Sequence, residues 1–221
     1  MRRLNVYTII FLISLLPCKL FSQINCTVPL PPVLTSVSVQ YKTDITELYW
    51  TLSPSSDIAA YIIYSFKDGN GTPIDTIWDP LATSYLITNS APKYFSVSYV
   101  VAAYRAPVIR GMDGCPSPLS NDINTIFCSS EIDTCKKEIK VKWNYYNDYP
   151  KHILEYKIFG SVNGSTFSEL SSVGKAVSSV TLTDFATDSQ YCFFVRAILE
   201  DGSFSGSNKN CLTTKKRHEK H

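Results

Sequence analysis

The chain has 221 residues, of which 44% are hydrophobic and 13% aromatic, and its 21 basic and 19 acidic residues give a net charge of +2. This near balance offers no basic surface of the kind that recruits nucleic acid or an acidic membrane, so we predict no nucleic-acid partner. The length is enough for one large domain or two ordinary ones, and the pattern along the chain has to decide between them.

The N-terminal segment predicts export. Arg2 and Arg3 precede a mostly apolar run from Val6 to Pro17. This run is too short to span a bilayer and has the length of a signal-peptide core. With Ser22 as the small residue at the cleavage point, we predict a signal peptide over residues 1–22. The protein would then be secreted, periplasmic or at the cell surface, with no membrane span after cleavage.

The rest of the chain repeats one pattern. Trp50 and Trp143 each lie on an alternating run that is followed by a short polar loop and an aromatic run. Further along, "YFSVSYVVAAY" matches "SQYCFFVRAIL", and "SPLSND" matches "SGSNKN". We therefore predict two like-built domains, over residues 23–127 and 128–214, followed by a basic, disordered tail over residues 215–221.

Each domain is predicted to consist of strands. Val, Ile, Thr, Tyr and Phe recur with a period of two, and turn sequences such as "KDGNGTP" and "EDGS" separate the runs. About seven short strands per domain is the count of an immunoglobulin-like sandwich. The predicted strands cover about 34–40, 45–51, 58–66, 72–78, 83–88, 94–104, 119–127, 127–133, 138–144, 153–162, 167–173, 178–184, 190–199 and 203–214.

Several phrases of the sequence carry a family resemblance. "PPVLTSVSV", a Trp on the second strand, "YIIY" on the third and a late Ser-Asn pair resemble fibronectin type III domains. Together with "YCFFVRA" and "SNKNC", the tandem resembles fibronectin-type segments of exported Bacteroidetes proteins, which are associated with gliding motility and type IX secretion. The resemblance implies an all-β fold of two tandem fibronectin type III-like (immunoglobulin-like) β-sandwiches. Such proteins often end in a sorting domain, which this sequence lacks, so we expect a fragment or a shorter relative.

The linker between the two domains is predicted to be stiff. The segment "TIFCSSEIDT" contains no Gly or Pro and continues the strand pattern. The last strand of the first domain would then run directly into the first strand of the second.

Six cysteines remain after the predicted cleavage, and an even number in an exported chain indicates disulfides. No close Cys pair suggests a metal site, so we predict no metal. In a hairpin centred on Asp201-Gly202, Cys192 and Cys211 face each other within disulfide reach. The six are Cys26, Cys115, Cys128, Cys135, Cys192 and Cys211.

The other pairings follow from sandwich geometry. Cys26 at the start of the first strand and Cys115 between the last two strands lie at the same pole, so we predict a bond between them. Exclusion then leaves Cys128 with Cys135, although an extended strand between them would hold the two about 20 Å apart. A bond from Cys135 to Cys192 is the competing prediction, and free thiols remain possible.

We find no catalytic motif, and we predict neither enzymatic activity nor a cofactor. His152 has no identifiable partner for acid–base chemistry, and a solvated loop explains it.

Two features could bind a partner. One is the aromatic loop after Trp143, because clustered tyrosines suit protein or carbohydrate surfaces. The other is the long loop "RAPVIRGMDGCPSP", because loops of that length often carry recognition. We expect a structural, adhesive or spacer module whose partner is a protein or a glycan, with glycan-binding accessory domains of a polysaccharide-degrading system as the alternative. The candidate contact residues are Tyr145, Tyr146, Tyr149, Arg110, Met112 and Asp113.

Overall fold

The computed structural model describes residues 26–90, 92, 94–107, 113–147, 149–183 and 185–215. The predicted signal peptide, residues 1–22, lies outside the described residues, as does the tail beyond Lys215. Within the described part every regular element is a strand and no helix occurs, so the predicted all-β class is confirmed.

The first domain is a sandwich of two antiparallel sheets. One sheet has the strand order β1-β2-β5, and the other has the order β4-β3-β6, with the short β7 and β8 also paired to β6. The strands are β1 (Leu34–Val39), β2 (Thr46–Trp50), β3 (Ala60–Lys67), β4 (Asn70–Ile77), β5 (Ser84–Ile87), β6 (Ser98–Arg105), β7 (Cys115–Pro116) and β8 (Ile123–Asn124).

The second domain repeats this arrangement. One sheet has the order β13-β10-β9, and the other has the order β12-β11-β14, with β15 and β16 paired to β14. The strands are β9 (Cys128–Asp133), β10 (Glu138–Trp143), β11 (Ile153–Val162), β12 (Ser168–Gly174), β13 (Ser179–Thr183), β14 (Gln190–Leu199), β15 (Phe204–Gly206) and β16 (Asn210–Thr213).

The two cores are built from matching residues. Trp50 packs on Tyr61 with ring centroids 5.7 Å apart at 54°, and Trp143 packs on Tyr156 at 5.6 Å and 54°. All four side chains are at most 5% exposed. Because alternate residues of a strand point to one face, the aliphatic residues around each pair fill the space between the sheets.

The late Ser-Asn pairs have the same role in both domains. The amide groups of Val101 and Val195 donate to the hydroxyls of Ser120 and Ser207, respectively, at 2.9 and 2.8 Å. The next residue in each pair, Asn121 or Asn208, holds the start of its own domain's first strand. Asn208 bonds both backbone groups of Cys128, as Asn121 bonds those of Leu34.

These side-chain bonds also explain where the strands are shorter than predicted. The predicted strand 203–214 is split into β15 and β16, because Ser207 and Asn208 use side-chain bonds where a continuous ladder would run. For the same reason the predicted strand 119–127 is reduced to β8, since Ser120 and Asn121 lie in its first part.

Two disulfides are present. Cys192 and Cys211 are directly paired between β14 and β16, with Cα atoms 4.0 Å apart, as the hairpin register predicts. Cys26 and Cys115 are joined at one pole of the first domain, with Cα atoms 6.1 Å apart.

The predicted pairing of Cys128 with Cys135 is wrong. Both are free thiols, Cys128 buried in the core at the start of β9 and Cys135 exposed in the turn after it. Strand β9 is extended and keeps the two apart. The competing pairing of Cys135 with Cys192 is also wrong, because Cys192 is bonded to Cys211.

Candidate functional site

The predicted aromatic loop lies at the boundary between the domains. It follows Trp143, the last residue of β10, and leads to β11. Tyr145 and Tyr149 are exposed, at 58% and 60%. Tyr146 was predicted to lie on the same binding surface, and this is wrong, because only 5% of the residue is exposed.

Tyr146 is instead an internal contact between the domains. Its hydroxyl accepts a hydrogen bond of 3.0 Å from the amide of Val37 in β1, and its own amide donates to the hydroxyl of Tyr156 at 3.0 Å. Burial raises the pKa of the Tyr146 hydroxyl, so the group stays protonated. One tyrosine thus connects the cores of the two domains.

Asparagine side chains join the rest of this loop to the first domain. Asn144 donates to the carbonyl of Thr125 at 3.1 Å, and Asn147 donates to the carbonyl of Asp122 at 2.7 Å. In the other direction, Asn124 donates to the carbonyl of Tyr145 at 2.9 Å. Because an amide side chain offers both donors and acceptors, these residues satisfy backbone groups that the interface removes from water.

A second set of contacts joins β1 to β15. The hydroxyl of Ser205 donates to the carbonyl of Val37 at 2.5 Å, and the amide of Gly206 donates to the hydroxyl of Ser38 at 2.9 Å. The backbones approach so closely that a Cβ on Gly206 would lie 2.8 Å from the carbonyl oxygen of Val39. A side chain at Gly206 would therefore push the domains apart.

Aromatic rings form a third group of contacts between the domains. Tyr41, in the turn after β1, stacks on Phe194 of the second domain with centroids 4.2 Å apart at 10°. It also meets the edge of Phe167 at 5.2 Å. Phe194 lies on the outer face of its sheet, yet it is only 2% exposed, because Tyr41 covers it together with Phe159 and Phe167 of its own domain. We use the name junction for three groups of contacts between the domains: those of the tyrosine loop, those between β1 and β15, and the ring contacts of Tyr41.

The position of the first domain that corresponds to Gly206 carries a leucine. The residue before Ser120 is Leu119, whereas the residue before Ser207 is Gly206. Leu119 packs on its own sheet, with its Cδ1 within 3.4 Å of a Cβ built on Gly71. At the position where Gly206 admits the neighbouring domain, the first domain thus carries the partly exposed side chain of Leu119.

The long loop predicted to carry recognition is only partly described. Arg110 and Met112 lie outside the described residues, and Asp113 is exposed. At the start of this loop, the guanidinium of Arg105 bonds the carboxylate of Asp57 and the carbonyl of Thr27. These bonds lie beside the Cys26–Cys115 disulfide and hold this pole of the domain together.

The described residues hold no reaction centre that we recognise. No group of three or more His, Cys, Asp or Glu side chains among them could hold a metal ion. Burial raises the pKa of the Cys128 thiol to about 12, so this cysteine is a neutral core residue and not a nucleophile. The bond from Lys151 to Asp201, 2.7 Å long, lowers the pKa of Asp201, and both belong to exposed or half-buried turns.

The junction was not predicted in residue detail. Tyr41, Phe194, Ser205 and Gly206 were not among the predicted site residues. One signal could have revealed them: β14 reads "QYCFFVRAIL", with Phe194 adjacent to the core residue Phe193. A strand that is apolar on both faces is typical of a sheet covered on both sides.

Comparisons with known proteins give a family match in the second domain and a set of similar solved structures. Residues 129–207 match the family model of the PBP1-like, fibronectin3-like domain. No curated protein sequence matches the chain.

The FN1–FN3 domains of chicken CNTN1 are 15% identical, over 85% of this chain and 69% of that chain, with a TM-score of 0.36. The FN3 domain of human collagen XX is 25% identical, over 39% of this chain and 85% of that chain, with a TM-score of 0.33. Pectate lyase Pel3 from Pectobacterium carotovorum is 11% identical, over 43% of this chain and 28% of that chain, with a TM-score of 0.35. From the family model, residues 129–207 form a fibronectin type III-like domain.

Proposed function

We propose that this protein is an exported, non-enzymatic structural or adhesive module whose two domains form a stiff pair. It would act as a spacer or protein-binding tandem in a secreted or cell-surface bacterial protein. The observation that carries the proposal is the buried junction, in which Val37 and Tyr146 are joined by a hydrogen bond at the centre.

The contacts of the junction resist bending. Hydrogen bonds from Ser205 and Gly206 fix the position of β15 against β1. The stack of Tyr41 on Phe194 fixes a second point on the same face. Separating the domains would expose these backbone groups and rings to water together, which costs more than breaking one exposed contact. A module of this kind holds its ends at a constant distance and orientation.

Export is supported by two observations. The pattern of residues 1–22 is that of a signal peptide, and the structure carries two disulfides, which form in oxidising compartments. Among the described residues, no helix has the length and apolarity needed to cross a membrane. The resemblance to gliding motility-associated segments favours a Bacteroidetes surface protein of the type IX secretion group.

Stiffness can be tested by NMR relaxation on the uniformly ¹⁵N-labelled chain. We expect the strand amides of both domains to report one common rotational correlation time. Separate, shorter correlation times for the two domains would contradict the proposal. Mass spectrometry of the protein from its native culture tests export: we expect a chain that begins near Gln23 and contains both disulfides. A cytoplasmic chain beginning at Met1 with reduced cysteines would contradict it.

A second candidate function is glycan binding, and it is favoured by the exposure of Tyr145 and Tyr149. Exposed aromatic rings can stack on the apolar faces of sugars. On a glycan array, the native chain would bind a defined set of polysaccharides and the variant with both tyrosines changed to Ala would not. Absence of binding by the native chain would reject this candidate and leave the structural role in place.

A further inference from the structure

A groove of about 360 Å³ lies along the junction, where the turn after β1 faces the outer side of β14 and β15. Both domains contribute to its walls. The walls include Gln40, Lys42, Glu47, Phe194, Arg196 and Phe204.

Arg196 is held in place in this groove by aromatic rings. Its guanidinium carbon lies 4.3 Å from the ring centroid of Phe204, 5.0 Å from that of Phe159 and 5.3 Å from that of Phe194. Cation–π contacts of this kind orient the plane of the guanidinium without using its N–H groups. The donor groups therefore remain available in a side chain whose position is already fixed.

The guanidinium of Arg196 has no hydrogen bond or ion pair within the part of the chain that the structure describes, although it carries five N–H donors. The other described arginine shows the opposite arrangement. The guanidinium of Arg105 bonds a carboxylate, that of Asp57, and a backbone carbonyl. Arg105 thus has its acceptors inside the fold, whereas Arg196 presents its donors to the groove.

The charges around the groove favour an anion. Lys42 is a second cation on the groove wall, and its ammonium lies 5.7 Å from the ring centroid of Tyr41. Glu47 is the acidic side chain of the wall, and its carboxylate already accepts a hydrogen bond from the amide of Gln40. Two cations and one carboxylate with an internal partner leave a local excess of positive charge.

We propose that the groove binds a carboxylate side chain of a partner protein, together with an apolar side chain next to it. A carboxylate can accept two parallel hydrogen bonds from one guanidinium, which gives both strength and orientation. Phe204 is 48% exposed and provides an apolar surface beside Arg196 for the neighbouring side chain. An acidic residue flanked by Leu or a similar residue matches this combination.

An acidic sugar is the less suitable ligand. A sugar ring carries several hydroxyls, and each loses hydrogen bonds to water on entering a site unless the site replaces them. Phe194 and Phe204 offer no polar group, and the polar side chains of the wall that could replace water are already hydrogen-bonded within the fold. These are Gln40, which is bonded to Glu47, Thr43, which is bonded to Gln40, and Ser38, which is bonded to Gly206. The wall thus suits one anionic group beside an apolar one.

This inference rests on the proposed stiff pair, since both domains line the groove, and the two can fail separately. The relaxation experiment tests the stiffness without a ligand. If the two domains report a common correlation time but the peptide does not bind, the inference about the groove is overturned and the stiff pair stands.

The test is a titration of the ¹⁵N-labelled chain with two isosteric peptides, acetyl-Leu-Asp-Leu-amide and acetyl-Leu-Asn-Leu-amide. We expect the Asp peptide to shift the Nε–Hε signal of Arg196 and the amide signals of Gln40 and Phe204. The Asn peptide should bind about tenfold more weakly, because it lacks the charge that strengthens the hydrogen bonds. Equal binding of the two peptides would overturn the proposal, and this comparison needs no variant.

Variants then locate the site. Arg196→Gln should abolish the shifts, and Arg196→Lys should weaken binding, because lysine keeps the charge but not the planar fork of donors. Lys140→Gln, which removes an exposed cation from the other sheet, is the matched control and should bind normally. Unchanged binding by Arg196→Gln would overturn the assignment. Binding of a galacturonic acid disaccharide in place of the Asp peptide would also overturn it, in favour of an acidic glycan.

Discussion

Gly206 in the second domain lies against the carbonyl oxygen of Val39 in the first, and a Cβ at Gly206 would come within 2.8 Å of that oxygen. The neighbouring amide-to-hydroxyl bond from Gly206 to Ser38 exists only because the two backbones come this close. The absence of a side chain at one position therefore sets the distance between the domains.

The first prediction concerns this contact. Gly206→Ala should move β15 away from β1 and lower the free energy of unfolding by about 1–3 kcal/mol, the usual range for overpacking. The carbonyl oxygen of Val39 belongs to the backbone and cannot move aside as the end of a flexible side chain can. The two strands of the junction must therefore shift to relieve the strain. Denaturant unfolding measures the loss, and residual dipolar couplings of the two domains measure the change in their relative orientation.

Gly174→Ala is the matched control, because Gly174 lies on β12 and a Cβ there would meet nothing within 4 Å. We expect it to leave the couplings unchanged and the stability equal or slightly higher, since alanine has less backbone entropy to lose. If both variants behave alike, the contact with Val39 does not hold the domains.

The second prediction concerns the aromatic cover of Phe194. Tyr41→Ala should expose one face of this ring and remove a stacked pair worth about 0.5–1.5 kcal/mol beyond its buried area. We expect amide shifts in β14 of the second domain, although the substitution lies in the first. Tyr49→Ala, at a site that is 44% exposed on the first domain, is the control and should leave β14 unchanged. Equal effects of the two on β14 would contradict this role for Tyr41.

The third prediction compares the two disulfides. The Cys26–Cys115 bond closes a separation of 89 residues, and the Cys192–Cys211 bond closes one of 19. Chain entropy then assigns about 4.5 kcal/mol to the longer loop and about 3 kcal/mol to the shorter. Replacing each pair by Ala and following the strand amides of each domain in denaturant measures both losses. A larger loss from removing Cys192–Cys211 would contradict the entropic ordering.

The fourth prediction concerns Cys128. Its thiol pKa is raised from 9.0 to about 12 by burial, so the folded state favours the neutral form. The contribution of this neutral thiol to the free energy of unfolding is complete below about pH 9 and is lost as the pH rises toward 12. The difference in unfolding free energy between the native chain and Cys128→Ala should therefore shrink across this window. A constant difference would show that the thiol does not titrate on unfolding.

Much of the fold could be predicted because its signals are local. Strands such as β11 and β14 have runs of β-branched and aromatic residues bounded by turn sequences, and their predicted ranges are those observed. The register of Cys192 against Cys211 followed from the position of one Asp-Gly turn. These features depend on residues close together in the chain, where period and turn chemistry are informative.

The junction could not be predicted in the same way, because its contacts join residues far apart in the chain. Tyr146 follows the end of a strand, and the local sequence favours exposure as much as burial. Only the position of Val37, 109 residues away, decides between them. The pairing of Cys128 with Cys135 failed for another reason: an even number of cysteines indicates disulfides but does not require that each thiol be bonded.

The contrast between Leu119 and Gly206 gives the pair a fixed order. Gly206 lets the second domain lie against the backbone of the first, whereas the first domain has a partly exposed leucine at the matching position. Duplicating one domain or exchanging their positions by recombination would lose the fit between Gly206 and the first domain. We therefore expect the two domains to be inherited together and in this order.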